Sequence, residues 1–195
     1  MRLFIAITFD EQIKNRIIIV QEKIREKAKK GKFPPAENFH LTLVFLGETP
    51  QERLPDIKAA MEQAASVDEK PNSPFELVFN KTGFFKRGAK ELWWLGMNAT
   101  KKNGMDKRNS STETGLEKLQ GRLVSELLAR NFKIDSRPYT PHITLGREII
   151  SDLWPFETEN IIVPFNRLSL MLSEHKPVSG KKNKLVYTEL FHVNC

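Results

Sequence analysis

The sequence has almost no cysteine, and this scarcity excludes two kinds of stabilising framework. Its single cysteine, Cys195, is the last residue. One cysteine cannot form a disulfide within the chain, and no cysteine cluster is available to hold zinc. We therefore expect a fold stabilised by a hydrophobic core, with Cys195 as a surface thiol.

Long apolar runs are also missing. The apolar stretch near the N-terminus soon meets Asp10 and Glu11, which makes it too short for a signal-peptide core, and no later stretch has the length of a membrane span. Neither a GxGxxG fingerprint nor a Walker loop occurs, so nucleotide-cofactor folds lose support. These absences predict a cytoplasmic protein without a cofactor.

Positive charge is in moderate excess, with a formal net charge of +7 over 195 residues. Such a balance favours an anionic partner such as phosphate or nucleic acid, although a lysine-rich solvated surface explains it equally well. The length suffices for one good core or for two small lobes that share one.

Apolar periodicity predicts seven strands and three helices in an α+β order. We place strands at residues 2–9, 39–46, 75–80, 91–97, 141–145, 166–172 and 185–193. The helices run from Asp10 to about residue 30, from a capping box at residues 49–52 to residue 64, and from a second box at residues 114–117 to residue 127. A hairpin connection is expected at residues 83–88, and a polar surface loop at about 98–113.

Two of the four histidines occur in near-identical settings. Residues 40–43 read His-Leu-Thr-Leu, and residues 142–145 read His-Ile-Thr-Leu. Because residues i and i+2 of a strand share a face, each histidine points the same way as its threonine, while the aliphatic residues face the core. A lone His-x-Thr is more often structural, but the matched pair, about half a chain apart, favours a catalytic site with one motif per lobe.

Two histidines, whose ordinary pKa is about 6.5, can act as general acid and general base on opposite sides of a phosphorus atom. Threonine hydroxyls can donate to phosphate oxygens on which charge accumulates. A strained 2′,3′-cyclic phosphate needs water activated on one side and an alkoxide protonated on the other, without a metal. Zinc binding by His40 and His142 is the competing interpretation, but no acidic residue or cysteine stands at ligand spacing beside either.

Residues 37–48 and 141–147 resemble the two signatures of the 2H phosphoesterases. Within that superfamily the chain is similar to the RNA 2′,3′-cyclic phosphodiesterases, also called 2′-5′ RNA ligases. The first segment reads Glu-Asn-Phe-His-Leu-Thr-Leu-Val-Phe-Leu-Gly-Glu, and the second reads Pro-His-Ile-Thr-Leu-Gly-Arg. The resemblance covers most of the chain. It implies one bilobal, pseudo-twofold α+β domain over residues 1–195, with two antiparallel-rich sheets lining a central cleft and helices outside.

The resemblance also implies an activity and a role for each motif. The activity is metal-independent hydrolysis of RNA 2′,3′-cyclic phosphate ends to a 2′-phosphate, on RNA such as tRNA fragments. His40 would be the general acid that protonates O3′, and His142 the general base that activates water. Thr42 and Thr144 would hold the phosphate.

Two further residues are expected to bind substrate. The resemblance implies that Arg147 contacts the nucleotide or phosphate through its guanidinium, and that Phe45 stacks on a base. Phe45 stands at an odd position counted from His40, so a straight strand would aim it at the core. A bend toward Gly47 would be needed to turn it into the cleft.

Several alternatives stay open at this point. The protein could be an RNA-end binding module with little turnover, or a 2H phosphodiesterase acting on another substrate such as 2′-5′ oligonucleotides. The acid and base labels can be exchanged, and ligation, the reverse of diester cleavage at a 2′-5′ linkage, is a further activity left open. We expect a monomer, His175 in a solvated loop, no catalytic role for His192, and residues 84–87 as a hairpin tip with buried phenylalanine rather than an RNA contact.

Overall fold

The computed structural model describes residues 1–66, 76–97, 115–178 and 181–194. Within these ranges the chain forms three α-helices, α1 (Glu11–Lys27), α2 (Leu54–Ala65) and α3 (Gly115–Ala129). The strands are β1 (Arg2–Thr8), β2 (Ala28–Lys32), β3 (His40–Glu48), β4 (Glu76–Arg87), β5 (Lys90–Gly96), β6 (His142–Ser151), β7 (Glu157–Pro164), β8 (Arg167–Val178) and β9 (Lys181–Asn194). The predicted α+β class is confirmed.

The strands pair antiparallel along one path, in the order β7-β4-β5-β6-β3-β1-β8-β9, and β2 adds to β6. At the centre of this path β3 and β6 share a single residue pair, Leu41 opposite Ile143. That sparse junction divides the sheet into a β3 half (β3, β1, β8, β9) and a β6 half (β6, β5, β4, β7). Two sheets were expected, and the structure joins these two halves into one nine-stranded sheet, with a histidine strand at the inner edge of each half.

The core lies between one face of this sheet and the helices. Helix α1 begins at an N-cap, where the Asp10 carboxylate accepts a hydrogen bond from the amide of Ile13 at 2.8 Å. Its buried stripe packs on β6 and β7, while α2 and α3 pack on each other and on the β3 half. Fully buried side chains such as Ile57 and Leu123 each contribute roughly 1.5–3 kcal/mol of hydrophobic stabilisation.

Among the described residues, the hydrophobic cluster on the opposite face of the sheet is small and lies in the β3 half; it consists of Phe4, Ala6 and Met171, with Tyr187 packed against it. This face also carries His40 and His142, and we call it the histidine face. The helices therefore leave the histidine face of both halves available for a site, as the predicted arrangement with helices outside requires.

The sequence prediction missed two strands. The β2 sequence is lysine-rich, and β7 is polar and exposed in its first half, so neither shows clear apolar alternation. Among the described strands, each of the two pairs with one neighbour, which makes them edge strands that need little apolar sequence. The predicted end of α1 at about residue 30 was consequently late, because the helix ends at Lys27 and β2 follows.

Two local predictions were wrong. The hairpin turn lies at Gly88–Ala89, not across residues 83–88, because β4 continues to Arg87 and Gly88 supplies a φ of +63°. The capping box at residues 49–52 does not form. The Thr49 hydroxyl instead donates to the carbonyl of Gly47 at 3.3 Å, and a short 3-10 turn, Gln51–Arg53, precedes α2.

Three predictions concern residues that the structure does not describe. The polar loop at 98–113, Thr114 of the second capping box and Cys195 lie outside the described residues. Among the helices in the described ranges, none has the length and apolar character needed to cross a membrane.

Candidate active site

His40 and His142 are held in the same tautomer by the same contact. The Nδ1 of His40 lies 2.7 Å from the carbonyl oxygen of Asn38, and the Nδ1 of His142 lies 2.7 Å from that of Thr140. Because a carbonyl only accepts, Nδ1 must carry the hydrogen in both rings. Each Nε2 is therefore left to exchange a proton with a ligand.

The two threonines stand beside the histidines as the strand period predicts. Thr42 and Thr144 are half-buried, and each shares the histidine face with its own histidine. The strands run antiparallel through the Leu41–Ile143 pair, so the two motifs approach this pair from opposite directions. Two imidazoles and two hydroxyls are thereby brought to the junction of the two sheet halves.

A β-bulge in each histidine strand explains how Phe45 and Arg147 reach the histidine face. In β3 the register slips between Thr42 and Val44, and Leu43 and Val44 are both buried. This shift reverses the alternation, so Phe45 turns outward and is 47% exposed. The strand thus bends as predicted for Phe45, but the bend lies at the Leu43–Val44 bulge rather than at Gly47.

The β6 bulge repeats that arrangement after the second histidine motif. Its register slips between Thr144 and Gly146, and Leu145 and Gly146 are both buried. Arg147 is therefore exposed on the histidine face, at the same offset from His142 as Phe45 has from His40. Both strands show one burial pattern over these six positions, which extends the internal repeat beyond the two motifs visible in the sequence.

Burial and neighbouring charge lower the pKa of both histidines. Desolvation is the main cause for His40, whose pKa falls to about 4, and the charges of Arg147 and His142 lower it further. Desolvation also lowers the pKa of His142, with Arg147 adding to the effect. In each case the backbone hydrogen bond partly opposes the shift by favouring the charged ring. The influence of Arg147 on both rings indicates that all three side chains share one site.

Aromatic side chains from neighbouring strands fix the orientation of each imidazole. The ring of Phe4 lies 4.8 Å from that of His40, and Tyr187 meets His40 edge-on with centroids 5.1 Å apart. Phe85 meets His142 edge-on at 5.3 Å. The sequence interpretation missed Phe4 and Tyr187, and it assigned Phe85 to a buried hairpin tip, whereas Phe85 is 37% exposed.

Tyr187 also carries a phenolic hydroxyl, whose pKa is changed by its surroundings. Burial raises the pKa of its phenol, and the charges of Arg147 and Arg2 act in the opposite direction. Arg2 also lies over the ring of Phe45, 5.2 Å from its centroid. The sequence feature that could have singled out Tyr187 is its rarity, because the chain contains only two tyrosines.

One buried side chain behind the sheet connects the segments that carry the two motifs. The amide nitrogen of Gln21, on α1, donates to the carbonyl of Pro34 at 3.0 Å and to the carbonyl of Leu145 at 2.9 Å. Pro34 lies on the segment that leads to His40, and Leu145 is the bulged residue of β6. Gln21 therefore supports both motifs without touching either histidine.

The other two histidines are not part of this arrangement. His175 lies within strand β8, not in the predicted loop, and it is exposed. His192 lies on β9, where its Nδ1 is 3.2 Å from the Glu189 carboxylate, in a polar cluster with Arg167. Within the described ranges no group of three or more histidine, cysteine, aspartate or glutamate side chains is arranged to hold a metal ion.

Comparisons with known proteins identify the family of this chain. The model of the 2′-5′ RNA ligase superfamily matches residues 9–159, which include both histidine motifs. An RNA 2′,3′-cyclic phosphodiesterase of Thermus thermophilus is 31% identical over 148 residues, or 75% of this chain and 68% of that protein.

Solved structures share this fold. The crystal structure of TT0787 of Thermus thermophilus has a TM-score of 0.76 at 28% identity and covers 100% of this chain and 97% of that one. Escherichia coli LigT complexed with 3′-AMP has a TM-score of 0.72 at 26% identity, with 99% and 97% covered. On the family match, the sequence relatives and the shared fold together, this chain belongs to the 2′-5′ RNA ligase superfamily.

Proposed function

We propose that this protein hydrolyses 2′,3′-cyclic phosphate ends of RNA to 2′-phosphomonoesters. The observation that carries the proposal is the pair of strand-mounted imidazoles, each with Nδ1 bound to a backbone carbonyl and Nε2 left for a ligand. Relatives named RNA 2′,3′-cyclic phosphodiesterase support the reaction class. The complex of the related LigT with 3′-AMP supports a ribonucleotide ligand.

In the reaction, water attacks phosphorus opposite O3′ while His142 Nε2 takes a proton from that water. The new P–O bond forms as the P–O3′ bond breaks, and His40 Nε2 gives its proton to O3′. The proton left on His142 exchanges with solvent, and His40 is reprotonated before the next turnover. With an RNA 5′-hydroxyl in place of water, the same attack on the cyclic phosphate breaks the P–O3′ bond and forms a 2′-5′ linkage.

The lowered pKa of His40 requires help from the substrate. Without ligand, the pKa of about 4 leaves His40 neutral at pH 7, which is the wrong state for an acid. A cyclic phosphate brings a negative charge between His40 and Arg147. That charge offsets the guanidinium and favours the imidazolium, so substrate binding raises the pKa of His40.

The remaining residues bind and orient the phosphate and its nucleoside. Thr42 and Thr144 donate their hydroxyl hydrogens to the non-bridging oxygens, where charge grows in the transition state. Arg147 binds the same phosphate through its planar guanidinium. Phe45, with Arg2 on its ring, stacks on the terminal base.

We also infer the setting in which this chemistry operates. The chain acts as one bilobal domain and as a cytoplasmic monomer. Fragments of RNA such as cleaved tRNA are its substrates. No metal takes part, because two imidazoles supply both proton transfers that the strained ring requires.

Incubation of an RNA ending in a 2′,3′-cyclic phosphate with the protein in excess EDTA tests this proposal. We expect complete conversion to a 2′-phosphate end, at a rate that chelation does not change. Loss of activity in EDTA, restored by added zinc, would mean that the two histidines are metal ligands. Tight RNA binding without conversion would instead identify an RNA-end binding module.

A further inference from the structure

A cationic cavity is lined in part by Arg147, and its other lining residues have no part in the chemistry proposed above. Its volume is about 250 Å³, and its lining residues are Arg87, Lys90, Glu91, Leu92, Arg147 and Glu148. Arg87 and Lys90 flank the turn between β4 and β5. The cavity is thus built from the tip of this hairpin and the end of β6 that follows the bulge.

Strand register places the cavity on the histidine face. Phe85 pairs with Leu92 and Arg87 pairs with Lys90, and residues opposite one another in a sheet share a face. Phe85 lies edge-on to His142, with ring centroids 5.3 Å apart. The cavity therefore adjoins the active site through Arg147, and its lining residue Leu92 is the cross-strand partner of Phe85.

Cations outnumber carboxylates around this cavity. The Glu148 carboxylate bonds to Lys32 and to Lys90, which lowers the pKa of Glu148. Arg87 and Arg147 have no hydrogen-bond or ion-pair partner among the described residues.

The second carboxylate of the lining is also occupied. The Glu91 carboxylate accepts a hydrogen bond from Trp93 Nε1, and Trp93 is fully buried on the helix side of the sheet. Three cationic side chains of the lining thus stand against two carboxylates that already have partners. An anion is the ligand that such a cavity would take.

We propose that this cavity binds the phosphate on the 5′ side of the terminal nucleotide, so that the enzyme reads two successive phosphates of its RNA. The proposal rests on the proposed function. Arg147 borders both sites, with the cyclic phosphate on one side and the 5′ phosphate on the other. Arg87 and Lys90 hold the second phosphate through charge-assisted hydrogen bonds.

Three substrates that differ by one group test this second phosphate site. They are a nucleoside 2′,3′-cyclic phosphate with a free 5′-hydroxyl, the same nucleotide with a 5′-phosphate, and a dinucleotide ending in a 2′,3′-cyclic phosphate. We expect kcat/KM for the second and third to exceed that for the first by about tenfold, the effect of one good charge-assisted contact.

Substitutions at the hairpin tip then locate the effect. Arg87→Gln and Lys90→Gln should bring the ratio of kcat/KM between the phosphorylated and unphosphorylated nucleotides to within about twofold of one. Lys86→Gln is the matched control, because it removes the same charge one residue away. The Lys86 ammonium lies on the other face, 5.9 Å from the ring centre of Phe84, so the ratio should keep its wild-type value.

The outcomes separate this inference from the proposed function. Equal turnover of all three substrates would overturn the second phosphate site while leaving the hydrolase intact. A gain that appears only with the dinucleotide would also overturn it, since the nucleoside rather than the phosphate would then be read. An equal loss in Lys86→Gln would also overturn the second phosphate site, because the effect would then arise from general surface charge. Turnover of none of the substrates would overturn the proposed function itself.

Discussion

At the scale of single residues, the site depends on two imidazoles that are kept neutral by burial. The Nδ1 hydrogen bonds settle which nitrogen of each ring is available, and desolvation sets the resting charge. The sequence predicted the histidines, the threonines and their shared face from strand alternation alone. It did not reveal the tautomer, because that depends on where the carbonyls of Asn38 and Thr140 point.

The lowered pKa of His40 predicts a specific loss of stability in acid. Its folded pKa of about 4 lies below the unfolded value of about 6.5, so the unfolded chain binds the proton more readily. The contribution of neutral His40 is complete above pH 6.5 and is lost as the pH falls toward 4. Between pH 7 and pH 5 this loss amounts to about 2 kcal/mol of unfolding free energy.

Urea denaturation of wild type and His40→Gln at the two pH values measures this contribution. The variant should lose about 2 kcal/mol less than wild type on going from pH 7 to pH 5. His175→Gln, at an exposed position on β8, should lose as much as wild type does. An identical loss in all three proteins would show that His40 titrates normally in the folded chain.

At the scale of elements, the site is made by two bulged strands. Each bulge reverses the alternation after its threonine, and so adds Phe45 in β3 and Arg147 in β6 to the histidine face. The sequence predicted that Phe45 needed such a bend but placed it toward Gly47. A bulge depends on pairing with a distant strand, β1 in one case and β5 in the other, and local pattern carries no record of that pairing.

Gln21 provides a test of whether helix α1 positions both bulged segments. Gln21→Leu removes the amide that bonds to the carbonyls of Pro34 and Leu145, and each carbonyl left buried without a partner costs roughly 1–3 kcal/mol. We expect kcat to fall about tenfold with little change in KM, because an active site that is slightly misplaced loses transition-state contacts first.

Gln12→Leu supplies the matched control, since it makes the same substitution at an exposed position of the same helix. It should leave kcat and KM at wild-type values. Gln21→Glu, which keeps the length of the side chain but can no longer donate from an amide, should resemble Gln21→Leu in kcat. A wild-type kcat in Gln21→Leu would show that Gln21 has a purely structural role.

At the scale of the whole molecule, the site exists only where the two sheet halves meet. His40 belongs to the β3 half and His142 to the β6 half, and the halves share a single residue pair at their junction. From the repeated motifs we predicted a single catalytic site, to which each lobe contributes one motif. The sequence could not predict Tyr187 as a neighbour of His40, because that contact depends on β9 reaching the site through β8 and β1.

The pH dependence of kcat/KM in wild type, His40→Ala and His142→Ala is the measurement that tests the two-histidine claim most directly. The wild-type profile should be bell-shaped with its maximum below pH 6.5, because burial lowers the pKa of both histidines in the free enzyme. The kcat profile should be displaced to higher pH, since bound phosphate favours the imidazolium form. Each substitution should lower kcat/KM by roughly 10²–10⁴ and remove one limb, the acidic limb in His142→Ala and the alkaline limb in His40→Ala. A profile that keeps both limbs in either variant would show that the substituted histidine is neither the acid nor the base.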